Sequence, residues 1–355
     1  MMEKNKTRKI CFVIVYIGFW PEWMNYFLKS CEYNPDIDWL IIGNKKPSFK
    51  KPRNVRFVTM EKSDLSRLIE EKLKMKVNIK NPYKFCDFKP AYGKIFEDYL
   101  KKYDFWGHGD LDMIYGNIKK FITKEDLEKY DLITTKKNYI TGQFTLFKNC
   151  PMMNTFYEKT KNYKNVFKNE KHIGFDEWNQ SLFKDHPSEE YFENSENIYS
   201  MTHAIKFYSK RGELKALFKN LVLEDVKPTG LWKVKFNQGK IKKGLLNKEY
   251  TYFHFIKYKK KLKVEKVNQV PHKFAITKLK IYTKYESDIL ERLEEERKYF
   301  KKNNKLETLI KLIEEFLTVK KDIYIGKIGL IIKRKNPKMY YILKKRKPKI
   351  LEIKK

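Results

Sequence analysis

The stretch DFWGHGDLDMIYGN, residues 104–117, decides how the rest of the chain is read. Asp104–Gly107 has the composition of a short apolar strand, and it runs straight into His108, Gly109 and the triplet Asp110-Leu111-Asp112. An Asp-x-Asp triplet alone carries little weight, because about one is expected by chance in a chain of this size. Asp36-Ile37-Asp38 provides an internal control. Those two aspartates precede an apolar run, whereas Asp110 and Asp112 follow one. In a mostly parallel α/β sheet, ligands sit beyond the carboxyl ends of the strands, so only the second pair stands where chemistry is done. Gly107 and Gly109 let the backbone come close to a ligand. Two carboxylates one residue apart suit a hard divalent cation, Mn²⁺ or Mg²⁺, with phosphate oxygens in its remaining positions. Such an ion neutralises charge as a diphosphate departs. Two solvated turn aspartates are the plainer alternative.

Upstream, Ile10–Ile17 is a continuous β-branched and aromatic run, as expected of a central parallel strand. Its basic head and apolar body imitate a signal peptide. Ile10–Trp20 is far short of the ~20 residues that span a bilayer, however, and no small-residue cleavage site follows. Trp23–Tyr33 has helical spacing, Trp39–Ile42 and Val55–Val58 read as strands, and Ser63–Leu73 reads as a helix capped by Ser63. Pro90–Leu100 reads as a helix with proline in its first turn. Asp131–Thr134 is a short strand, Gly142–Phe147 a hairpin element, and 152–165 and 175–184 are helical. Residues 185–250 are mixed, and Tyr250–Ile256 is a strand by composition. This alternation predicts an α/β fold with a mostly parallel central sheet covered by helices on both faces.

Composition allows a large core, with 25 Phe, 24 Tyr and 6 Trp in 355 residues. The formal charge of +34 is uneven, since residues 256–355 hold 31 Lys and Arg against 12 Asp and Glu. A basic tail suits an anionic partner, and a solvated surface in a Lys-rich proteome accounts for it equally well. The four cysteines have no zinc or redox spacing and suit a reducing cytoplasm. Character changes near residue 265. The expectation is a domain over 1–265 and a helical, Lys-rich extension over 266–355, with amphipathic helices at 284–318 and a basic tail from Lys327.

Two further groups draw attention. Lys84 and Lys89 bracket Asp87 just before an expected helix start, a place for anion contacts or a solvated loop. His254 lies in the aromatic run YTYFHFI, where a histidine is either a core residue or an Mn²⁺ ligand.

The segments from KICFVIVYIGFWPEW through YKFCDFKPAYGKIFEDYL, DFWGHGDLDMIYGNI, TGQFTLFKN, FDEW and YFHF occur in that order. Together they resemble an uncharacterised bacterial family assigned as glycosyltransferases of the GT-A fold, distantly similar to DXD sugar-binding transferases of polysaccharide synthesis. The resemblance covers about residues 8–260 and implies a GT-A-like (Rossmann-like) fold, a divalent metal and a nucleotide-diphosphate sugar donor, foremost a UDP-sugar. It implies that Asp110 and Asp112 bind metal and diphosphate and that His254 completes the metal shell. Tyr16, Ile17 and Gly18 would meet the nucleotide. Lys84, Asp87 and Lys89, together with Gly109, Gly142 and Gln143, would line the donor site. Asp176 and Glu177 in HIGFDEWNQ are then the candidates for acceptor-side chemistry, one of them taking the acceptor hydroxyl's proton or steadying a positive sugar. A carboxylate pair at a helix start is the alternative, and adjacent side chains are expected to point different ways.

The resulting expectation is a metal-dependent hexosyltransferase acting on a saccharide or lipid-linked acceptor in surface-polysaccharide or glycolipid synthesis. It would be cytoplasmic, with its basic tail against the anionic inner face of the plasma membrane. A basic nucleic-acid-binding protein is the competing reading, and it leaves DFWGHGDLD unexplained. A glycoside hydrolase would need Asp110 and Asp112 to flank a bond rather than share an ion.

Overall fold

A computed structural model of the chain describes residues 8–183, 185–224, 234–243, 248–265, 267–277 and 280–283, with the single positions 341 and 345. The chain divides into two compact units, Met1–Glu224 with Tyr250–Ile256, and Asp225–Glu249 with Lys257–Lys355.

The strands of the first unit run in chain order as β1 (Ile10–Tyr16), β2 (Ile37–Gly43), β3 (Val55–Thr59), β4 (Phe105–Gly109), β5 (Met113–Tyr115), β6 (Leu132–Thr134), β7 (Phe144–Lys148), β8 (Ala216–Phe218) and β9 (Val222–Leu223). Seven of them form one sheet in the order β3-β2-β1-β4-β7-β6-β8. Neighbours pair in parallel except where β7 runs against β4 and β6. The α/β fold with a mostly parallel central sheet is therefore as expected.

β1 reads as uninterrupted apolar sequence because both of its faces are covered. Cys11 and Val13 enter one core with Leu65, Ile69, Phe88, Tyr92 and Trp106. Ile10, Phe12 and Ile14 enter the other with Met24, Phe27, Leu28 and Tyr115. The helices Met24–Glu32 (α1) and Lys62–Leu73 (α2) lie on opposite sides accordingly. Because β1 and β4 are parallel, with Val13 opposite His108, both strands end at the same rim.

Several local expectations change. Glu61, not Ser63, occupies the cap position of α2. Pro90 lies inside a 3₁₀ segment, Pro82–Ala91, whose first turn is set instead by Pro82 and by the Asn81 side chain accepting from Tyr83 N. Short helices Tyr92–Ile95 and Glu97–Leu100 follow. Within the expected helix 175–184, the described residues 175–183 form turns instead, since Gly174 takes φ +78° and Asn179 φ +59°, both outside the helical region. The region left unassigned holds the helices Glu189–Asn194 and Met201–Lys210.

A second, smaller sheet of the first unit joins β5, the strand Tyr252–His254 and β9. In the second unit, Val234–Asn237 pairs antiparallel with Lys240–Lys243 and with Lys273–Ile276, burying Phe236 against Phe274. Beyond residue 266 the described residues include the strands Lys273–Ile276 and Lys280–Tyr282. The helices expected at 284–318 lie outside the described residues, as does the basic tail except for positions 341 and 345. Among the described residues no helix is long and apolar enough to cross a membrane.

Candidate active site

β4 stops at Gly109 and the chain turns at once into Asp110-Leu111-Asp112. The buried Leu111 anchors this turn, and its carbonyl accepts from Trp23 Nε1 at 2.8 Å. The bend at 111–112 brings the two carboxylates into one group. Asp112 is buried and Asp110 half-buried. The control pair behaves otherwise. Asp36 is exposed and bridges to Lys119, while Asp38 accepts from the Tyr103 hydroxyl at the opposite end of β2.

The small sheet sets the third corner. β5 pairs antiparallel with Tyr252–His254 so that Met113 opposes His254, and Phe255 N donates to Asp112 O at 3.1 Å. Asp110, Asp112 and His254 thereby place one ligand atom each within 4.8 Å of the others. On its other side the strand runs parallel to β9, with Phe253 opposite Leu223, which sets Glu224 beside His254. His254 Nδ1 lies 2.6 Å from Glu224 Oε1. Its Nε2 is buried 3.5 Å from Asp112 Oδ1, an ion-pair distance too long for a good hydrogen bond.

That arrangement fits a divalent ion by its donor chemistry. Nδ1–H donated to Glu224 orients the ring and turns Nε2 toward the aspartates, the usual support of a metal-ligating imidazole, and a bound ion would take the place of the Nε2 proton. Burial by itself would depress the His254 pKa, but Asp112 and Glu224 raise it to about 9. Burial likewise would raise that of Glu224, yet its bonds to His254 and Lys136 hold it at about 2. Sequence reading missed Glu224. No local pattern marks it, and only its register against His254 does.

Lys89 ties this corner to the next. Its ammonium, deep in the protein, donates to Asp110 Oδ1 at 2.7 Å and to Gly142 O at 2.9 Å, and stands 3.7 Å from Asp176 Oδ2. Burial opposes its charge, but Asp110 and Asp176 keep it firmly protonated. Gly142 O also faces His108 Nδ1 at 2.9 Å. Burial, aided by Lys89, lowers the His108 pKa to about 3, so His108 is neutral and donates there. Gly142 N in turn donates to Glu177 Oε1 at 2.9 Å. A Cβ on Gly142 would come within 2.5 Å of Asp176 Oδ2 and 3.5 Å of Glu177 Oε1. Both carboxylates thus border Gly142, contrary to the expectation that adjacent side chains diverge, because they sit on a turn rather than a helix. Their states differ. Burial would raise the Asp176 pKa, but His172 and Lys89 hold it below the usual range. Burial and the Asp176 charge push Glu177 up to about 7.

Lys84 and Asp87 have a different place from the ligand-facing one expected. Lys84 is fully buried, and its ammonium donates to Asp87 Oδ2, Val166 O and Lys171 O at 2.7–3.0 Å. Asp87 accepts from the backbone N–H groups of Ile173, Gly174 and Phe175. With their bonding capacity met inside the protein, the two shape the turn that carries Asp176 and Glu177.

The remaining candidates have the following places. Tyr16 ends β1 and stacks on Trp20 at 5.7 Å, beside Phe49 and Phe57. Gly18 N donates to Asn44 Oδ1 at 2.8 Å, with Ile17 half-buried between them. Gly109 leaves room for the Tyr115 hydroxyl, which a Cβ would meet at 2.9 Å. Gln143 is buried next to the Tyr252 hydroxyl.

The profile of a protein family described as "Family of unknown function (DUF6625)" matches residues 12–285. No curated protein matches the sequence. Among solved structures, the chain is similar to the galactosyltransferase LgtC in complex with donor and acceptor sugar analogs, at 10% identity and a TM-score of 0.29, over 57% of this chain and 96% of that one. It is also similar to the glycosyltransferase GlyE of Streptococcus pneumoniae TIGR4, at 11% identity and a TM-score of 0.26, over 51% of this chain and 44% of that one. The chain thus spans less than half the length of GlyE.

Proposed function

The chain belongs to the DUF6625 family, and from its own site we propose that it is a metal-dependent glycosyltransferase, moving a sugar from a nucleotide-diphosphate sugar to a saccharide or lipid-linked acceptor. One observation carries this reading: two carboxylates and an imidazole converge at the carboxyl-end rim of a mostly parallel sheet, and the imidazole's Nε2 is turned into the group.

Asp110, Asp112 and His254 would hold Mn²⁺ or Mg²⁺, and when bound the ion would supply Lewis-acid stabilisation of a departing diphosphate. Lys89 sets Asp110 in place and adds a fixed positive charge beside it. The acceptor oxygen forms a bond to the anomeric carbon as the bond to diphosphate breaks, and the acceptor hydroxyl loses its proton. Glu177, with a pKa near 7, is the carboxylate suited to take that proton. Asp176, ionised between Lys89 and His172, fixes the charge around it. Tyr16 and Trp20 offer an aromatic surface to a nucleobase at the end of β1, with UDP-sugars the first donors to try. Surface-polysaccharide or glycolipid synthesis at the cytoplasmic face of a membrane is the setting that the basic charge of residues 256–355 favours.

The test is a thermal-shift panel of nucleoside diphosphates and nucleotide sugars with and without Mn²⁺. The expected result is a shift that needs metal and nucleotide together and vanishes in Asp112→Ala. A parent protein that neither Mn²⁺ nor any nucleotide moves would sink the proposal.

A further inference from the structure

Beside Glu177 the surface is aromatic in a way that the core does not require. Trp39 and Trp106 are fully buried. Trp178, next to Glu177 in sequence, is only half-buried, as is Tyr139, and His186 is exposed. The His186 ring brings the other two together, with its centroid 5.1 Å from that of Trp178 and 5.3 Å from that of Tyr139. Phe192 backs the imidazole at 5.6 Å.

The three rings come from separate stretches of chain, and each is fixed. Lys136 donates to the Tyr139 hydroxyl at 2.6 Å and, through its bond to Glu224, reaches the carboxylate that holds His254. His186 Nδ1 faces Pro187 O at 2.7 Å, which orients the ring. Gln180 Nε2 donates to Glu177 Oε2 at 2.9 Å, fixing the turn that bears Trp178. The Tyr139 hydroxyl is near enough to Glu177 to feel its charge.

We propose that Tyr139, Trp178 and His186 form a stacking wall for a saccharide ring of the acceptor, holding its hydroxyl toward Glu177. This rests on the glycosyltransferase reading and adds where the acceptor lies and what selects it. The chemistry matches on both counts. A pyranose has an apolar C–H face that covers an aromatic ring and a polar rim that needs hydrogen-bond partners. The wall offers flat apolar surface together with the polar atoms of the phenol, the indole and the imidazole. The donor's charged diphosphate belongs to the other corner, where Lys89 and the aspartates are. A ring with one unbroken C–H face is therefore the preferred acceptor unit.

The test uses the full-length protein with Mn²⁺ and UDP present, and methyl β-glucopyranoside and methyl β-galactopyranoside as probes. Saturation-transfer difference NMR should show transfer to the ring C–H protons of at least one glycoside. Trp178→Ala should abolish that transfer, Trp178→Phe should retain part of it, and exposed His186→Ala should weaken it about tenfold in affinity, as loss of about 1.4 kcal/mol implies. All three variants should keep the parent's shift with Mn²⁺ and UDP, which also reports that they fold. Unchanged transfer in Trp178→Ala overturns the wall, and so does a parent protein that responds to Mn²⁺ and UDP but to neither glycoside. Loss of the nucleotide shift in Trp178→Ala would overturn it too, by assigning the indole to the nucleotide end. Absence of any nucleotide shift in the parent strikes the underlying function instead.

Discussion

Asp110, Asp112 and His254 form one acidic group, and Asp87, His172 and Asp176 form another of the same composition, each with ligand atoms within 4.8 Å of one another. They differ in what is already satisfied. In the second group Asp87 accepts from three backbone N–H groups and the Lys84 ammonium, leaving little lone-pair capacity for an ion. Burial opposes the His172 charge, but its bond to Asp176 and the charge of Asp87 raise its pKa, so its ring serves the neighbouring carboxylates. In the first group His254 Nε2 faces Asp112 Oδ1 at 3.5 Å without a well-formed hydrogen bond, and Glu224 holds the other ring nitrogen. Two aspartates and a histidine therefore do not define a metal centre. An imidazole nitrogen turned into the group and supported from behind by a carboxylate comes closer to doing so.

Substitutions can break that comparison. The largest effect is expected from Asp87→Ala, which strands the fully buried Lys84 and frees the turn at 173–175. Denaturant melts should show a loss of about 3–5 kcal/mol, the usual consequence of removing one partner of a buried ion pair. An equally stable variant would mean that the second group is not structural. Asp112→Ala should do the reverse, leaving the denaturation midpoint nearly unchanged while turnover with Mn²⁺ falls about a hundred- to a thousandfold. If activity survives, the first group is not the centre. Glu224→Gln tests the support itself: Mn²⁺ affinity by calorimetry should drop about 10–100-fold with the fold intact. The gentlest probe is pH. Glu177 must be ionised to accept a proton, and its pKa is raised to about 7, so the rate should fall as pH falls through that value. At pH 7 it should stand near half its alkaline plateau, and Glu177→Gln should remove this inflection.

Much of the frame was legible in residue order. The apolar run at 10–17 announced a strand covered on both faces, and DFWGHGDLD announced a strand end carrying paired carboxylates. Both signals are local, since burial on two faces excludes polar residues and a short turn fixes i and i+2 on one side. The turns over 175–183 imitate a helix in their apolar spacing, whereas Gly174, Asn179 and the grip of Asp87 decide the backbone there. Lys84 and Asp87 looked like ligand contacts because charge is visible in sequence and burial is not.

What sequence alone determined is thus the sheet, its ligand-facing rim and the two aspartates upon it. Tertiary structure decided who joins them. Residues 112, 224 and 254 meet because β5, Tyr252–His254 and β9 lie side by side in one register, and Lys89 reaches Asp110 from the 3₁₀ segment across 21 residues of sequence. Register and packing are non-local: they depend on how far-separated strands bury their faces together, and no window of neighbouring residues records that outcome.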